Sequence, residues 1–282
     1  MSVKDKLKNY LILQDIISRD TVWHSQVGGR TNKVWRIKGD KDLICKLYTN
    51  RHNNPLFGNN PLAEYMCLKW LENACIAPRV YKFLETPIGH VLLYHYIEGS
   101  VWSNDVGSVS ELLNRVHNLK PIKMLRKLPG SSNDIKKSAL CIINKLNFHH
   151  KSELIKICPQ ILIPDIEPAL IHTDVVVGNL IFGNNKLKLI DWQCPANGDP
   201  VVDIAMFLSP GMHTLYSTNV LSTSDYNNFL LGLKPQVRDR YNTIGPLYHW
   251  RLAAYCLWKF EQGIKEYKNA ASAEINFLNA IK

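Results

Sequence analysis

The sequence predicts an α+β protein in two lobes: a small β-rich N-terminal lobe, then a larger, mainly helical lobe with a short hairpin embedded in it. Three observations carry this. Apolar runs of strand length, at 22–27, 34–37, 43–48, 79–84 and 90–97, crowd into the first third of the chain. Later apolar residues recur with helical spacing. Between the two regimes, Glu98-Gly99-Ser100 interrupts the pattern. The division therefore falls at residues 1–98 and 99–282.

The elements follow in order. Leu7, Leu11, Ile12 and Ile16 place a helix over 4–17, ahead of the first three strands. Pro61 opens a helix over 62–71, because its missing N–H is tolerated at an early helical position. Two further strands complete the small lobe. Helices are then expected at 109–119, 133–148, 200–208, 224–233, 244–267 and 270–281. A non-helical island at 170–189 separates the second of these from the third, with strands at 179–182 and 187–190 around the turn Gly183-Asn184-Asn185.

Composition narrows the function classes. The chain has 282 residues, 46% of them apolar, enough for two lobes around a sizeable core. No run approaches the roughly 18 apolar residues of a membrane span, and Leu11–Leu13 is too short for a secretory signal, so a cytoplasmic protein with no membrane insertion is expected. Seven scattered cysteines form no CxxC pair and no zinc spacing. They read as reduced thiols, several of them (Cys45, Cys141) among apolar neighbours as core residues. The net charge of +10 suits an anionic ligand, but the basic residues are spread along the chain without a nucleic-acid-binding signature. No nucleic-acid partner is expected; the chain is read as a monomer or homodimer.

The chemistry lies in the island. Asp174 and Asn179 stand five residues apart on a loop, and a short hairpin returns Asp191 beside Asn179. Phosphoryl transfer needs a carboxylate to orient the attacking hydroxyl and oxygen ligands to hold Mg²⁺. Asp and Asn are also ordinary turn residues. Here, however, apolar strand residues (Leu170, Ile171, Leu180, Ile181, Leu189, Ile190) deliver them to one edge, which favours a functional role.

His172-x-Asp174-x-x-x-x-Asn179, followed by Ile190-Asp191-Trp192, resembles the catalytic and metal segments of the aminoglycoside phosphotransferase and choline kinase superfamily. The resemblance runs through most of the chain and implies a bilobal protein-kinase-like fold, with ATP and Mg²⁺ as cofactors. It implies that Asp174 is the catalytic carboxylate, that Asn179 and Asp191 bind Mg²⁺, and that His172 is a scaffold residue. Gly198-Asp199-Pro200-Val201-Val202-Asp203-Ile204-Ala205 matches a further family segment, in which Asp203 braces the catalytic loop through backbone hydrogen bonds. In the small lobe, Gly28, Gly29, Arg30, Thr31 and Asn32 resemble the choline kinase phosphate loop, although a plain hairpin turn explains Gly-Gly equally well. Lys46 corresponds to the lysine on the α/β-phosphates, with Glu64 as its ion-pair partner; strand alternation alone allows a solvent-facing lysine. The strand ending at Tyr96 and Ile97 would be the adenine-contacting hinge.

For the acceptor, the resemblance implies a small cationic amino alcohol bearing the hydroxyl. Thiamine, aminoglycoside or sugar acceptors are alternatives within the superfamily, and a catalytically inactive scaffold is the alternative of a different class. Tyr255 and Trp258 share a helical face near Gln262. They read as core packing or as an aromatic cage for the acceptor, and both readings stay open. Gln193, just after Asp191-Trp192, stands where choline and thiamine kinases often carry an acid. It is a further candidate acceptor contact and a departure from the choline pattern.

Overall fold

The computed structural model describes residues 1–26, 31–48, 54–217 and 220–281. In the N-terminal part, α1 (Val3–Leu13) is started by a capping box between Ser2 and Asp5. It lies on a five-stranded antiparallel sheet of order β1-β2-β3-β5-β4, made of β1 (Val22–Ser25), β2 (Lys33–Lys38), β3 (Leu43–Tyr48), β4 (Val80–Thr86) and β5 (Gly89–His95). Leu7 and Leu11 pack onto Trp35, Ile37, Cys45, Leu47 and Leu93, sealing one face. The opposite face carries Ile44, Lys46, Tyr48, Leu92 and Tyr94, beneath α2 (Pro61–Trp70). All six β3 residues are buried, so no side of this strand faces solvent.

The chain then passes through β6 (Ser100–Val101) and α3 (Val106–His117), and β7 (Lys127–Leu128) precedes α4 (Ser132–Ile143) and α5 (Phe148–Lys156). Next come β8 (Ala169–Ile171), the hairpin β9 (Leu180–Gly183) and β10 (Lys186–Leu189), and β11 (Ala196–Gly198). The helices α6 (Val201–Phe207), α7 (Pro210–Tyr216), α8 (Thr223–Leu231), α9 (Pro235–Glu261) and α10 (Tyr267–Ala280) complete the chain. The hairpin turns through Asn184 and Asn185, both at positive φ, the conformation a two-residue turn needs to match strand twist. Among the described residues no helix is long and apolar enough to cross a membrane.

Several boundaries differ from expectation for local reasons. The helix expected over 133–148 is two helices, because the Asn147 side chain accepts the His150 N–H and starts α5 afresh. The long helix begins at Pro235 rather than 244 and stops at Glu261, where Gly263 adopts φ +92°. Helix α7, unanticipated, is capped by Ser209 and opened by Pro210. All seven cysteines are free, yet Cys141 is exposed rather than core. The buried stripe of α4 is Ile135, Ala139, Ile142 and Ile143, which leaves position 141 on the outer face.

Strand β6 docks on the outside of the hairpin, with Ser100 opposite Phe182 and Val101 opposite Ile181. This needs close backbone approach. A Cβ on Gly99 would lie 2.2 Å from the Phe182 carbonyl oxygen, and one on Gly183 would lie 2.0 Å from that of Glu98. Both obstacles are backbone, so neither can swing aside. Gly183→Ala is therefore expected to destabilise the fold by about 2 kcal/mol or more. Gly178→Ala, where a Cβ meets nothing within 4 Å, should stay within ~0.5 kcal/mol of the parent. Urea titration of both variants measures the contrast; equal stability of the two would contradict the docking.

Candidate active site

Three backbone devices shape the site. The Asp203 carboxylate, fully buried at the start of α6, accepts the N–H groups of His172 (3.0 Å) and Thr173 (2.7 Å) and faces His117 Nε2 at 2.9 Å. Thr173 is thereby held at φ +71°, a strained conformation for a β-branched residue that turns the loop toward the cleft. Its hydroxyl donates to the Cys194 carbonyl at 2.8 Å. His172 is the third device. Its Nδ1 accepts the Asp174 N–H (3.2 Å), which leaves the proton on Nε2 to donate to the Ile190 carbonyl (3.0 Å). Burial holds this imidazole below its ordinary pKa, so it stays neutral and ties the catalytic loop to the end of the hairpin. The bracing read for Asp203 and the scaffold place read for His172 match these bonds.

Asp174, Asn179 and Asp191 meet as the hairpin topology requires. Asn179 Nδ2 donates to the Asp174 carbonyl oxygen (2.9 Å) and more weakly to its carboxylate (3.3 Å). That use of the nitrogen leaves the Asn179 amide oxygen for another partner. Asp191, at φ +63°, leaves the strand direction and pairs with Lys46. Lys46 is also bonded to Glu64 Oε2 at 2.7 Å, and Tyr48 donates its hydroxyl to the same carboxylate oxygen. Burial would depress the Lys46 ammonium, but Asp191 and then Glu64 outweigh it and hold its pKa above the ordinary value. Glu64 Oε1 is buried without a hydrogen-bond partner, and burial raises that carboxyl. The Asp174 carboxyl is pushed up to about 7, first by burial and then by the neighbouring Asp191 charge. Asn179 and Asp191 offer hard oxygen donors beside the ammonium, a set that fits Mg²⁺ better than a soft metal.

These groups open into a cleft of about 1250 Å³. Thr31, Asn32, Lys46, Tyr96, Asp174, Asn179, Asp191, Gln193, Tyr255 and Trp258 all line it. Glu64 stands behind Lys46. Gly28, Gly29 and Arg30 lie outside the described residues. Two candidates are committed differently from expectation. Asn32 and Asn59 exchange side-chain hydrogen bonds, both 2.9 Å, and Asn32 Nδ2 also donates to Gln193 Oε1 at 2.9 Å. This amide cluster ties β2 to the segment after the hairpin, so Gln193 has a structural partner as well as a face on the cleft. The Tyr96 N–H donates to the Asp42 carbonyl (2.9 Å), while Arg36 stacks on its ring, 3.5 Å from the centroid. That amide is not available to an adenine edge; Ile97, the next residue, also lines the cleft.

At the far end, α9 presents Tyr255, buried, and Trp258, half-buried, with ring centroids 5.9 Å apart. Phe57 meets Tyr255 edge-on at 5.1 Å and Tyr267 meets it at 6.1 Å. Core packing and cleft lining therefore hold together for Tyr255, while Trp258 belongs mainly to the cleft. Sequence reading gave no role to His117, Lys259, Asn54, Phe57 or Tyr267, and took Asn59 only as part of the segment Asn59-Asn60-Pro61-Leu62-Ala63-Glu64, which resembles choline-kinase-like sequences. Lys259 was legible, since it stands four residues after Tyr255 on the helix face already singled out. His117 left no signal, because it acts on Asp203, 86 residues away, and the same distance effect hid the partner of Asn59.

A sequence search of curated proteins finds no match. Among solved structures, a choline/ethanolamine kinase family protein from Mesorhizobium loti superposes with TM-score 0.70 at 14% identity, covering 99% of this chain and 95% of the other. A macrolide 2′-phosphotransferase from Brachybacterium faecium gives 0.63 at 12%, covering 95% and 97%. A spectinomycin phosphotransferase in complex with ADP and spectinomycin gives 0.61 at 14%, covering 98% and 93%. At such identities these matches show a shared protein-kinase-like fold. Residues 25–220 match a family described as the phosphotransferase enzyme family, a span that contains the lysine, both carboxylates and the asparagine of the cleft. The chain belongs to that phosphotransferase family.

Proposed function

We propose that the protein transfers the γ-phosphoryl group of ATP to a hydroxyl of a small molecule. Residues 1–98 form the nucleotide side of the cleft, and residues 99–282 the catalytic side and most of the acceptor side, to which Asn54 and Phe57 add. One observation carries this reading: β3, α2, the loop after β8 and the end of β10 bring Lys46, Glu64, Asp174, Asn179 and Asp191 together at one cleft. The family supports it, as does the ADP held by the spectinomycin enzyme.

Each group then has a task. Glu64 fixes the Lys46 ammonium, which faces the phosphate chain of the donor. Asn179 and Asp191 would hold Mg²⁺, which when bound neutralises charge on the phosphate oxygens. Asp174 orients the acceptor hydroxyl and takes its proton as the oxygen bonds to the γ-phosphorus. The bond from that phosphorus to the bridging oxygen breaks, and ADP leaves. A carboxyl pushed up to about 7 accepts a proton far more readily than an ordinary aspartate. An inactive scaffold has no need to bury a lysine between two carboxylates against a cleft.

The acceptor lies against Phe57, Tyr255, Trp258 and Tyr267, with the amides of Asn54 and Gln262 nearby. The amino alcohol expected from the sequence rests on this aromatic wall. Rings of this kind suit a cation or the apolar face of a sugar ring alike.

Asp174→Ala should reduce turnover by roughly 10²–10⁴-fold while nucleotide affinity is largely kept. Steady-state ADP release with a small-molecule acceptor measures the first and fluorescent-nucleotide titration the second; an undiminished rate would remove Asp174 from the chemistry. Asp191→Ala should abolish the Mg²⁺ dependence of nucleotide binding. A Mg²⁺ titration superimposable on that of the parent would rule out its metal role.

A further inference from the structure

Behind the catalytic loop lies a second pocket, of about 70 Å³, walled by β7, α4, α6, α9 and residues 55–57. Arg251 of α9 and Arg126 line it, together with Ser138 of α4 and Thr173 of the loop. The two arginines are short of acceptors. Among the described residues nothing accepts a hydrogen bond from the Arg251 guanidinium, and its Nε is buried without a partner. Its guanidinium carbon stands 4.9 Å from the Tyr248 ring centroid, a ring-face contact rather than a hydrogen bond. Arg126 donates from Nη2 to the Cys194 carbonyl at 3.1 Å, the oxygen that also accepts the Thr173 hydroxyl.

No carboxylate lines the pocket among the described residues. Asp199, whose charge reaches Arg251 from outside it, is bonded to Arg240 Nε at 2.7 Å and to the Val201 N–H at 2.9 Å. The remaining residues, 27–30, 49–53, 218–219 and 282, include no Asp or Glu. A guanidinium keeps its charge at any physiological pH, and burying one without a counter-ion is costly. Burial depresses the pKa of Arg251, and the like charge of Arg126 adds to the effect. Two cations on one small pocket attract an anion.

The volume and the donors select among anions. The pocket is several times the roughly 10–15 Å³ that admits one water, and far below the ~300–1,000 Å³ of an organic-ligand site. A nucleotide is too large for it, while a tetrahedral oxyanion fits. Planar guanidinium forks match the paired oxygens of such an ion, and the Ser138 hydroxyl adds a neutral donor. Arg126 is exposed, so the pocket is reached from solvent.

We propose that this pocket binds a small inorganic oxyanion of the phosphate class, held by Arg251 and Arg126 behind the catalytic loop. The site goes beyond the phosphoryl-transfer cleft and does not depend on how that cleft is read. Its occupant touches Thr173 and also Phe57, whose ring meets Tyr255 edge-on in the cleft. A bound oxyanion thus braces the loop and the aromatic wall from behind.

The test titrates sodium phosphate into the Mg·ADP-loaded full chain, by calorimetry and by thermal unfolding, against sodium chloride at equal ionic strength. Phosphate at ten times its Kd should raise Tm by about 2 °C or more, and chloride by less than half as much. Arg126→Met and Arg251→Met should each weaken phosphate binding at least 10-fold, with Mg·ADP affinity within about 3-fold of the parent. Arg251→Lys, which keeps the charge and loses the fork, should bind phosphate measurably more weakly than the parent, and serves if Arg251→Met fails to fold. The proposal is overturned if phosphate binds no better than chloride. It is equally overturned if phosphate affinity is unchanged in any of these variants, which would assign the ion to the nucleotide cleft or make it adventitious.

Discussion

Lys46 carries a full charge to a place where only 2% of its surface meets solvent, and that is tolerable only with anions in contact. One comes from α2, eighteen residues away; the other comes from Asp191, 145 residues away at the end of the hairpin. The small sheet, its helix and the helical part must therefore meet where these three groups can touch. Removing either carboxylate would leave a buried charge under-compensated, a cost larger than the net worth of the triplet itself. The same arrangement that constrains the fold puts an ammonium and an aspartate on one wall of the cleft. Stability and chemistry are thus coupled through a single set of contacts.

A second layer of buried polar groups keeps that meeting point rigid. Asp203 holds two consecutive amides of the catalytic loop, His172 spans from that loop to the hairpin, and Asn32, Asn59 and Gln193 join the sheet to the segment beyond it. Behind the aromatic wall, Glu274 on α10 accepts from Ser209 and from the Gly211 N–H, and pairs with His249 on α9. His249 in turn meets the Tyr241 hydroxyl at 2.9 Å. This satisfied network fixes α7 and α10 against the helix that carries Tyr255, Trp258 and Lys259. Buried polar groups left without partners would each cost about 1–3 kcal/mol, so the network resists rearrangement of the wall.

The departures from sequence expectation have separate physical causes. Boundaries failed where one side chain in a cap overrode apolar periodicity, as Asn147 does between α4 and α5. The solvent-facing alternative for Lys46 failed because strand alternation says which residues share a face, not what covers it. The structural partner of Gln193 was not foreseen because Asn32 is 161 residues away.

By itself the sequence determined a β-rich part ahead of a helical one, the hairpin that returns Asp191 to Asn179, and the lysine, carboxylates and asparagine at the cleft. The hairpin and its three polar residues follow from local rules, namely periodicity, turn chemistry and spacing within one loop; the lysine was read from a family resemblance. Only the tertiary structure decided what each group is bonded to. It set Asp191 as a second carboxylate on Lys46, joined Asn32 and Asn59 to Gln193, and placed Lys259 near three rings. Pairing and burial between distant segments depend on how the lobes pack, and no window of sequence contains that information.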